Sequence, residues 1–165
     1  MNILPVLTIP NPLLKEISLP VEHITEETKN LIEGISKTLY AHKYCVGIAA
    51  VQVGVLQRIV VIDASQSLKE HRSSGLLIMI NPVITYSSGK ISSREGCLSA
   101  PDFIGTVVRR KKIEVDYLDL NGKKQQLKTD GFEAIVVQHE IDHLDGKVFL
   151  DRVTSLKTDV FRRVT

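Results

Sequence analysis

The sequence predicts an α+β fold in which antiparallel β-sheets pack around a buried central helix, with an amphipathic helix near the N-terminus. Two observations carry this prediction. Several β-branched or alternating runs lie between an early segment with helical spacing and a late, nearly apolar segment with helix-end signals. No repeat, low-complexity tract or linker interrupts the 165 residues, so we expect a single domain over residues 1–165.

The N-terminal part of the chain predicts an extended segment and then a helix. Residues 1–21 hold four of the six prolines, which favours an extended path over the domain surface. Thr25 is a good helix cap, and apolar residues then recur at helical spacing, so we expect an amphipathic helix over 26–42. Small residues dominate 45–54 and allow another segment to approach the backbone closely. Gln52 is a polar side chain among apolar neighbours there, and it needs a partner.

The middle of the chain predicts β-strands. An exposed polar loop is expected at 65–75, and a hairpin turn at 87–90. Asn121-Gly122 is the strongest hairpin signal in the chain. The expected strands are 58–63, 76–80 (closed by Asn81-Pro82), 83–86, 91–94, 112–120 and 123–128.

Two further helices are expected after the strands. Asp130 and Glu133 form an Asp-x-x-Glu capping pattern at the start of an apolar run, and Gly146 is a stop signal. Because the run is apolar on most sides, this helix is expected to be buried at the centre of the domain. A short last helix is expected to begin at Thr154 or Ser155.

Composition excludes several classes of protein. No apolar run approaches the ~20 residues that span a bilayer, and the N-terminus lacks a basic region followed by an apolar block. A net charge of +2 gives no argument for nucleic-acid binding. The two cysteines, Cys45 and Cys97, occur without a secretory signal, which favours a reduced cytosolic setting. We expect a bacterial cytoplasmic protein in preference to an organellar one whose transit peptide was removed.

The central helix contains the pattern His-Glu-x-x-His. His139 and His143 are four residues apart, so in a helix they lie on one face and can bind one divalent cation. Glu140 then projects close enough to act on a water bound to that cation. The alternative is a chance match, with two histidines hydrogen-bonded in an ordinary core.

Two histidines leave a hydrolytic site short of ligands, since such sites usually have three protein ligands and one open position. No histidine follows His143. Upstream, Cys97 follows a predicted strand and a glycine, and a thiolate is a good ligand for zinc or ferrous iron. A cysteine by itself is more often an inert buried thiol, but together with the helix motif Cys97 becomes the candidate third ligand.

Three separated blocks resemble the peptide deformylase family in content, order and spacing. The likeness covers nearly the whole chain, and the three blocks in order are highly specific. The blocks are Gly47-Ile48-Ala49-Ala50-Val51-Gln52, Glu95-Gly96-Cys97-Leu98-Ser99 and Gln138-His139-Glu140-Ile141-Asp142-His143-Leu144-Asp145-Gly146.

The resemblance implies hydrolysis of the formyl group from the N-terminal formylmethionine of newly made polypeptides, with release of formate. It implies a single divalent ion held by Cys97, His139 and His143: Fe²⁺ in the cell, with Zn²⁺ or Ni²⁺ as alternatives. By the same resemblance, Glu140 carries the proton. The negative oxygen of the intermediate would accept hydrogen bonds from the Gln52 side chain and the backbone amide of Leu98.

The resemblance also implies how the substrate binds. The peptide would lie as a strand along Val46 and Gly47, with further contacts near Glu95. An apolar pocket for the methionine side chain would include Ile135 and Val136. The expected partners are N-formylmethionyl nascent peptides, with a transient ribosome contact left open, and neither nucleic acid nor membrane is expected to bind.

The chain departs from the family pattern at some positions and leaves other residues ambiguous. Cys45 replaces a glycine at the edge of the cleft, and Ile104 replaces a residue that is basic in many bacterial members. The chain also stops soon after Arg163, where some relatives continue into a long basic helix. Asp142 and Arg109 are either supports for a ligand or a purely structural ion pair.

Three alternatives to the deformylase interpretation remain from the sequence. One is a metallopeptidase that uses His-Glu-x-x-His chemistry on internal peptide bonds. Another is a deformylase-like binding protein whose turnover is weakened because Cys45 blocks the cleft. A purely structural metal site is the weakest, because structural zinc usually has four protein ligands and the sequence offers three.

Overall fold

The computed structural model describes residues 2–69 and 71–163, and within these ranges the chain forms two α-helices and two antiparallel sheets. One sheet has the strand order β1-β2-β3-β6-β7 and the other β4-β5-β8. This arrangement confirms the α+β class with antiparallel sheets. The elements are β1 Gly47–Ala49, β2 Ile59–Asp63, β3 Leu76–Ser88, β4 Ile91–Glu95, β5 Phe103–Arg109, β6 Lys112–Leu118, β7 Lys124–Asp130, β8 Val160–Arg162, α1 Glu26–Ala41 and α2 Gly131–Leu144.

Helix α1 covers one face of the larger sheet. Thr25 caps it: its hydroxyl accepts a hydrogen bond from the Thr28 amide at 3.3 Å, and the Thr28 hydroxyl accepts one from the Thr25 amide at 3.2 Å. Apolar residues of α1 and of β1 and β2 form one buried cluster between helix and sheet. It includes Ile32, Ile35, Leu39, Ile48, Ile59 and Val61.

Helix α2 lies against the opposite face of that sheet and is buried from Glu133 to Leu144. Ala134, Val137 and Ile141 pack against residues of β1, β2 and β3. The α2 helix ends as predicted, because Gly146 follows it with a φ of +74°. Neither helix in the described ranges is long and apolar enough to cross a bilayer.

The capping hydrogen bonds that the sequence predicts at the start of α2 do not form. Asp130 occupies the cap position, but its side chain makes no capping hydrogen bond and instead pairs with Arg72 at 3.2 Å. The fully buried Glu133 carboxylate accepts hydrogen bonds from the Ser74 amide at 2.6 Å and the Thr129 hydroxyl at 2.8 Å. The loop before β3 thus satisfies the acid that the sequence pattern assigns to a capping box.

The predicted hairpin around 87–90 is also wrong. The predicted end of a strand at Asn81-Pro82 does not occur either, because β3 continues through these residues with an irregular register. The Asn81 side chain there accepts a hydrogen bond from the Val21 amide at 2.8 Å and donates one to the Val21 carbonyl at 2.9 Å. Strand β4 then leaves the larger sheet and pairs with β5. Two strands that are adjacent in sequence therefore belong to different sheets.

The expected last helix does not form. Residues 160–162 instead pair with the first half of β5, with Phe161 opposite Ile104. The Ser155 amide donates to the Asp159 side chain at 2.9 Å, so Ser155 belongs to a turn. A helix here would have few apolar residues to bury, so little packing would stabilise it. Hydrogen bonding to the edge of β5 is therefore the more stable arrangement.

Candidate metal centre and active-site cleft

The structure brings Cys97, His139 and His143 together. The two histidines lie one turn apart on α2, and Cys97 lies in the turn that follows β4. Their donor atoms lie within 4.8 Å of one another, and Cys97 Sγ is 3.4 Å from His143 Nε2. The three side chains are thus arranged to reach a single ion.

The orientation of His139 is fixed by Glu95. His139 Nδ1 lies 2.8 Å from Glu95 Oε1, so Nε2 is the ring nitrogen directed to the cluster. A carboxylate in this position holds the ring in one tautomer and makes the other nitrogen a better donor. The Glu95 side chain is therefore engaged behind the centre, and only its backbone is available to contact a peptide.

Arg109 connects this carboxylate to the helix. It donates to both oxygens of Glu95, at 2.8 and 2.9 Å, and to Asp142 Oδ2 at 2.6 Å. Asp142 also accepts two hydrogen bonds from Arg152, at 2.8 and 3.0 Å. The Asp142–Arg109 pair is therefore structural, and through Glu95 it also supports His139.

The charged groups behind the centre are held in their ionised forms. Burial by itself would raise the pKa of Glu95, but hydrogen bonds and charge from Arg109 and His139 outweigh it and lower the pKa to about 2. Burial likewise opposes ionisation of Asp142, yet hydrogen bonds from Arg152 and Arg109 lower the pKa of that carboxyl. The network is a set of buried charges that stabilise one another.

Two buried polar atoms at the centre have no hydrogen-bond partner among the described residues: Glu140 Oε1 and His143 Nδ1. Burial raises the pKa of Glu140 to about 7 and lowers that of His143 well below its usual value. Burial also opposes protonation of His139, but Cys97 and Glu95 outweigh it and raise that pKa. The donor set fits a divalent cation, because it brings one sulfur and two imidazole nitrogens together and metal binding displaces the protons of such ligands.

Glu140 lies against the backbone of β1. A Cβ at Gly47 would approach the Glu140 side chain to 2.8 Å, which is closer than carbon atoms pack. The small-residue segment was predicted to allow such an approach, and Gly47 shows why. Glycine at this position lets the carboxylate lie between the strand edge and the two histidines.

Gln52 finds its partners in the same place. Its Oε1 accepts from the Ala49 amide at 2.9 Å, which turns its amide nitrogen toward Ser99 Oγ at 3.0 Å and Cys97 Sγ at 3.4 Å. The neighbouring Leu98 amide has no hydrogen-bond acceptor within residues 2–69 and 71–163. Two N–H donors therefore lie at one side of the centre.

A cleft of about 480 Å³ opens onto the centre. Its walls include every residue that the sequence assigns to substrate binding: Val46, Gly47, Glu95, Ile135 and Val136. Cys45 also lines the cleft, and burial raises the pKa of its thiol to about 12, so this cysteine is neutral.

The family model described as polypeptide deformylase matches residues 3–159. The chain belongs to the polypeptide deformylase family. It is 44% identical over 161 residues to the peptide deformylase of Pelagibacter ubique (strain HTCC1062), covering 95% of this chain and 90% of that protein. With the peptide deformylase of Rickettsia akari (strain Hartford) it shares 43% identity over 166 residues, covering 99% and 94%.

Solved deformylase structures agree with this assignment. The crystal structure of the Ehrlichia chaffeensis peptide deformylase in complex with actinonin has a TM-score of 0.88 and 37% identity, covering 95% of this chain and 92% of that chain. The Thermotoga maritima peptide deformylase structure gives a TM-score of 0.85 at 32% identity, covering 93% of this chain and 99% of that chain. The whole deformylase fold is therefore present here.

Sequence reasoning missed several side chains around the centre. Ser99 orients Gln52, and it is part of the second block that resembles the family, so its buried polar side chain was a usable signal. Arg152 binds Asp142 from the turn after α2, but nothing local marks it as different from other arginines. Phe149 stacks on His139 with ring centroids 6.2 Å apart, a contact that only the fold creates.

We expect acid to destabilise the metal-free protein through Glu95. Folding lowers this pKa from the ordinary 4.5 to about 2, so the stabilisation is complete above pH 4.5 and is lost as the pH falls toward 2. The effect is on the order of 2–3 kcal/mol. Urea unfolding of metal-free protein across this range measures it, and Glu95→Gln should show a shallower dependence on pH. An equally steep dependence in Glu95→Gln would contradict the assignment.

Proposed function

We propose that the Cys97–His139–His143 centre hydrolyses the N-formyl group of formylmethionine at the N-terminus of newly made polypeptides and releases formate. Family membership makes the chain a peptide deformylase, a hydrolase of that reaction. One observation carries the assignment of this centre. A thiol and two imidazoles converge beside a buried, unpaired carboxylate oxygen at the inner end of a cleft.

The family depends on a metal, and the proposed ligands are Cys97 Sγ, His139 Nε2 and His143 Nε2. A thiolate with two imidazoles suits zinc, ferrous iron or nickel and disfavours magnesium or calcium. We propose Fe²⁺ as the ion in the cell, with Zn²⁺ or Ni²⁺ as alternatives. A divalent ion held by these residues would lower the pKa of a water molecule and so would supply the nucleophile near neutral pH.

Glu140 is proposed to move the proton. Its Oε1 has no hydrogen-bond partner among the described residues and lies 3.8 Å from His143 Nε2, so the carboxylate would be within reach of a water held by an ion at this centre. Because burial raises the pKa of Glu140 to about 7, the group can both accept a proton and release it near neutral pH. It accepts the proton from water and delivers it to the leaving amine.

Gln52 and Leu98 are proposed to stabilise the oxygen that becomes negative in the tetrahedral intermediate. The Gln52 amide nitrogen is held in place before the reaction by the Ala49 and Ser99 contacts, so little reorganisation is needed. The backbone amide of Leu98 is the second donor. In comparable sites, one such donor lowers the activation barrier by about 3–4 kcal/mol.

The peptide is proposed to bind as a strand between two sheet edges. Strands β1 and β4 are both edge strands, and both line the cleft. The Val46 carbonyl accepts from the Asp63 amide at 2.8 Å and so faces β2, which leaves the Gly47 N–H and C=O facing the cleft. Backbone pairing of this kind accepts most sequences, as an enzyme of nascent chains requires.

Ile135 and Val136 are proposed to form the methionine pocket. Both line the cleft, and each is only 5% exposed. We further propose that residues 1–165 act as one catalytic domain in the bacterial cytoplasm, where nascent formylated peptides are found. A transient contact with the ribosome stays a proposal.

Formate release from a formyl-Met peptide, measured without oxygen on Fe²⁺-loaded protein, tests the assignment. Loss of a residue that supports a metal ligand lowers metal affinity or activity by about 10–100-fold. Because Cys97 is proposed as a ligand itself, we expect Cys97→Ala to lower both metal affinity and turnover by more than roughly 100-fold. Cys45→Ala, which removes the other cysteine, should keep its metal.

Other outcomes distinguish the alternatives. Internal cleavage of unformylated peptides without formate would indicate a metallopeptidase. The other alternative is a binding protein. It would be indicated if metal-loaded wild type and metal-loaded Cys45→Gly both bind the formylated peptide without releasing formate.

A further inference from the structure

The outer part of the cleft is lined by basic side chains from four separate segments. Lys43 follows α1, Lys69 lies in the loop after β2, Arg94 is on β4 and Arg163 follows β8. All four are exposed, and we call them the basic rim. The described acidic residues of the cleft wall, Glu95 and Glu140, are buried.

Within residues 2–69 and 71–163, no acidic side chain neutralises the charges of the basic rim. Among the described residues, no member of the rim forms an ion pair. Two members lie against aromatic rings instead: Arg94 is 4.6 Å from the Phe161 ring centroid, and Lys43 is 5.1 Å from that of Tyr44. A ring leaves the positive charge available to an anionic ligand.

Arg163 is the member of the rim that lies over the segment leading to Cys97. Its amide donates to the Asp102 carbonyl at 2.8 Å, which extends the β8 pairing by one residue. Its guanidinium lies directly over Gly96, the residue before Cys97, and a Cβ at Gly96 would collide with Arg163 Nη2. The guanidinium therefore lies at the mouth of the cleft, against the chain segment that precedes Cys97.

We propose that the basic rim makes this chain prefer formylated peptides that carry Asp or Glu directly after the formylmethionine, with Arg163 as the main specificity-determining residue. The inference rests on the proposed deformylase function. A formylated N-terminus has no charge, so near the cleft the charge of the substrate comes from its side chains. A peptide whose methionine lies against α2 must leave the cleft across the rim.

Matched peptides test this preference. The probes are C-terminally amidated formyl-Met peptides that carry Glu, Gln or Lys directly after the methionine and are otherwise identical. Wild-type protein is expected to favour the Glu over the Gln peptide by roughly fivefold in kcat/KM at low salt, mainly through KM. The preference should shrink in about 0.5 M salt, where charges are screened within a few ångströms.

Substitutions assign the effect to Arg163. Arg163→Gln should lose most of the preference for the Glu peptide over the Gln peptide, and Arg163→Lys should keep that preference. Lys90→Gln makes the same charge change at an exposed position outside the cleft, and it should leave the preference unchanged.

Equal kcat/KM for the Glu and Gln peptides in wild type, or an unchanged preference in Arg163→Gln, would overturn the inference. Absence of formate from every peptide would instead overturn the deformylase proposal beneath it.

Discussion

Replacing Glu140 with glutamine is expected to lower formate release by about 10²–10⁴-fold, the usual contribution of a positioned proton carrier. The amide has nearly the same shape but cannot accept a proton from water. Because Glu140 is not one of the three proposed ligands, the variant should bind its metal as wild type does. The fold should also persist, since burial disfavours the charged form of Glu140 and the substitution removes that charge.

The measurement is steady-state formate release beside elemental analysis of the same preparation. Glu22→Gln, the same substitution at an exposed position, should keep full activity. If metal-loaded Glu140→Gln retains more than about a tenth of wild-type turnover, Glu140 is not the proton carrier.

Replacing Arg109 with methionine is expected to destabilise the fold by about 3–5 kcal/mol. Arg109 is 5% exposed and binds Glu95 and Asp142, which are also buried. Methionine fills much of the volume but leaves both carboxylates short of a counter-charge. Glu95 would then also hold His139 less firmly, so metal affinity should fall together with stability.

Urea unfolding measures this loss, and Arg72→Met is the matched control. The Arg72–Asp130 pair is exposed, so its loss should cost at most about 1 kcal/mol. Adding Glu95→Gln to Arg109→Met should recover part of the loss, because one unpaired charge is removed. If Arg109→Met and Arg72→Met lower the free energy of unfolding equally, the buried network stabilises the fold no more than an exposed ion pair does.

Sequence reasoning worked where the cause is local. Thr25 capping, the spacing of Ile32, Ile35 and Leu39, and the Asn121-Gly122 turn depend on neighbouring residues, and α1 and the β6–β7 hairpin follow them. Sequence reasoning failed where a segment distant in sequence determines which strands pair. Strand β4 pairs with β5 and not with β3, and β8 forms because the edge of β5 is available.

The sequence by itself determined the chemistry that this protein can perform. The helical spacing of His139 and His143 and a cysteine after a strand predict a metal site, because ligand type and spacing are local properties. The resemblance of three blocks to the deformylase family then implies the reaction. Only the tertiary structure decided what surrounds that centre. Arg109 and Arg152 behind it and Arg163 at its mouth come from segments far apart in sequence, and their charges acquire a role only when packing places them together.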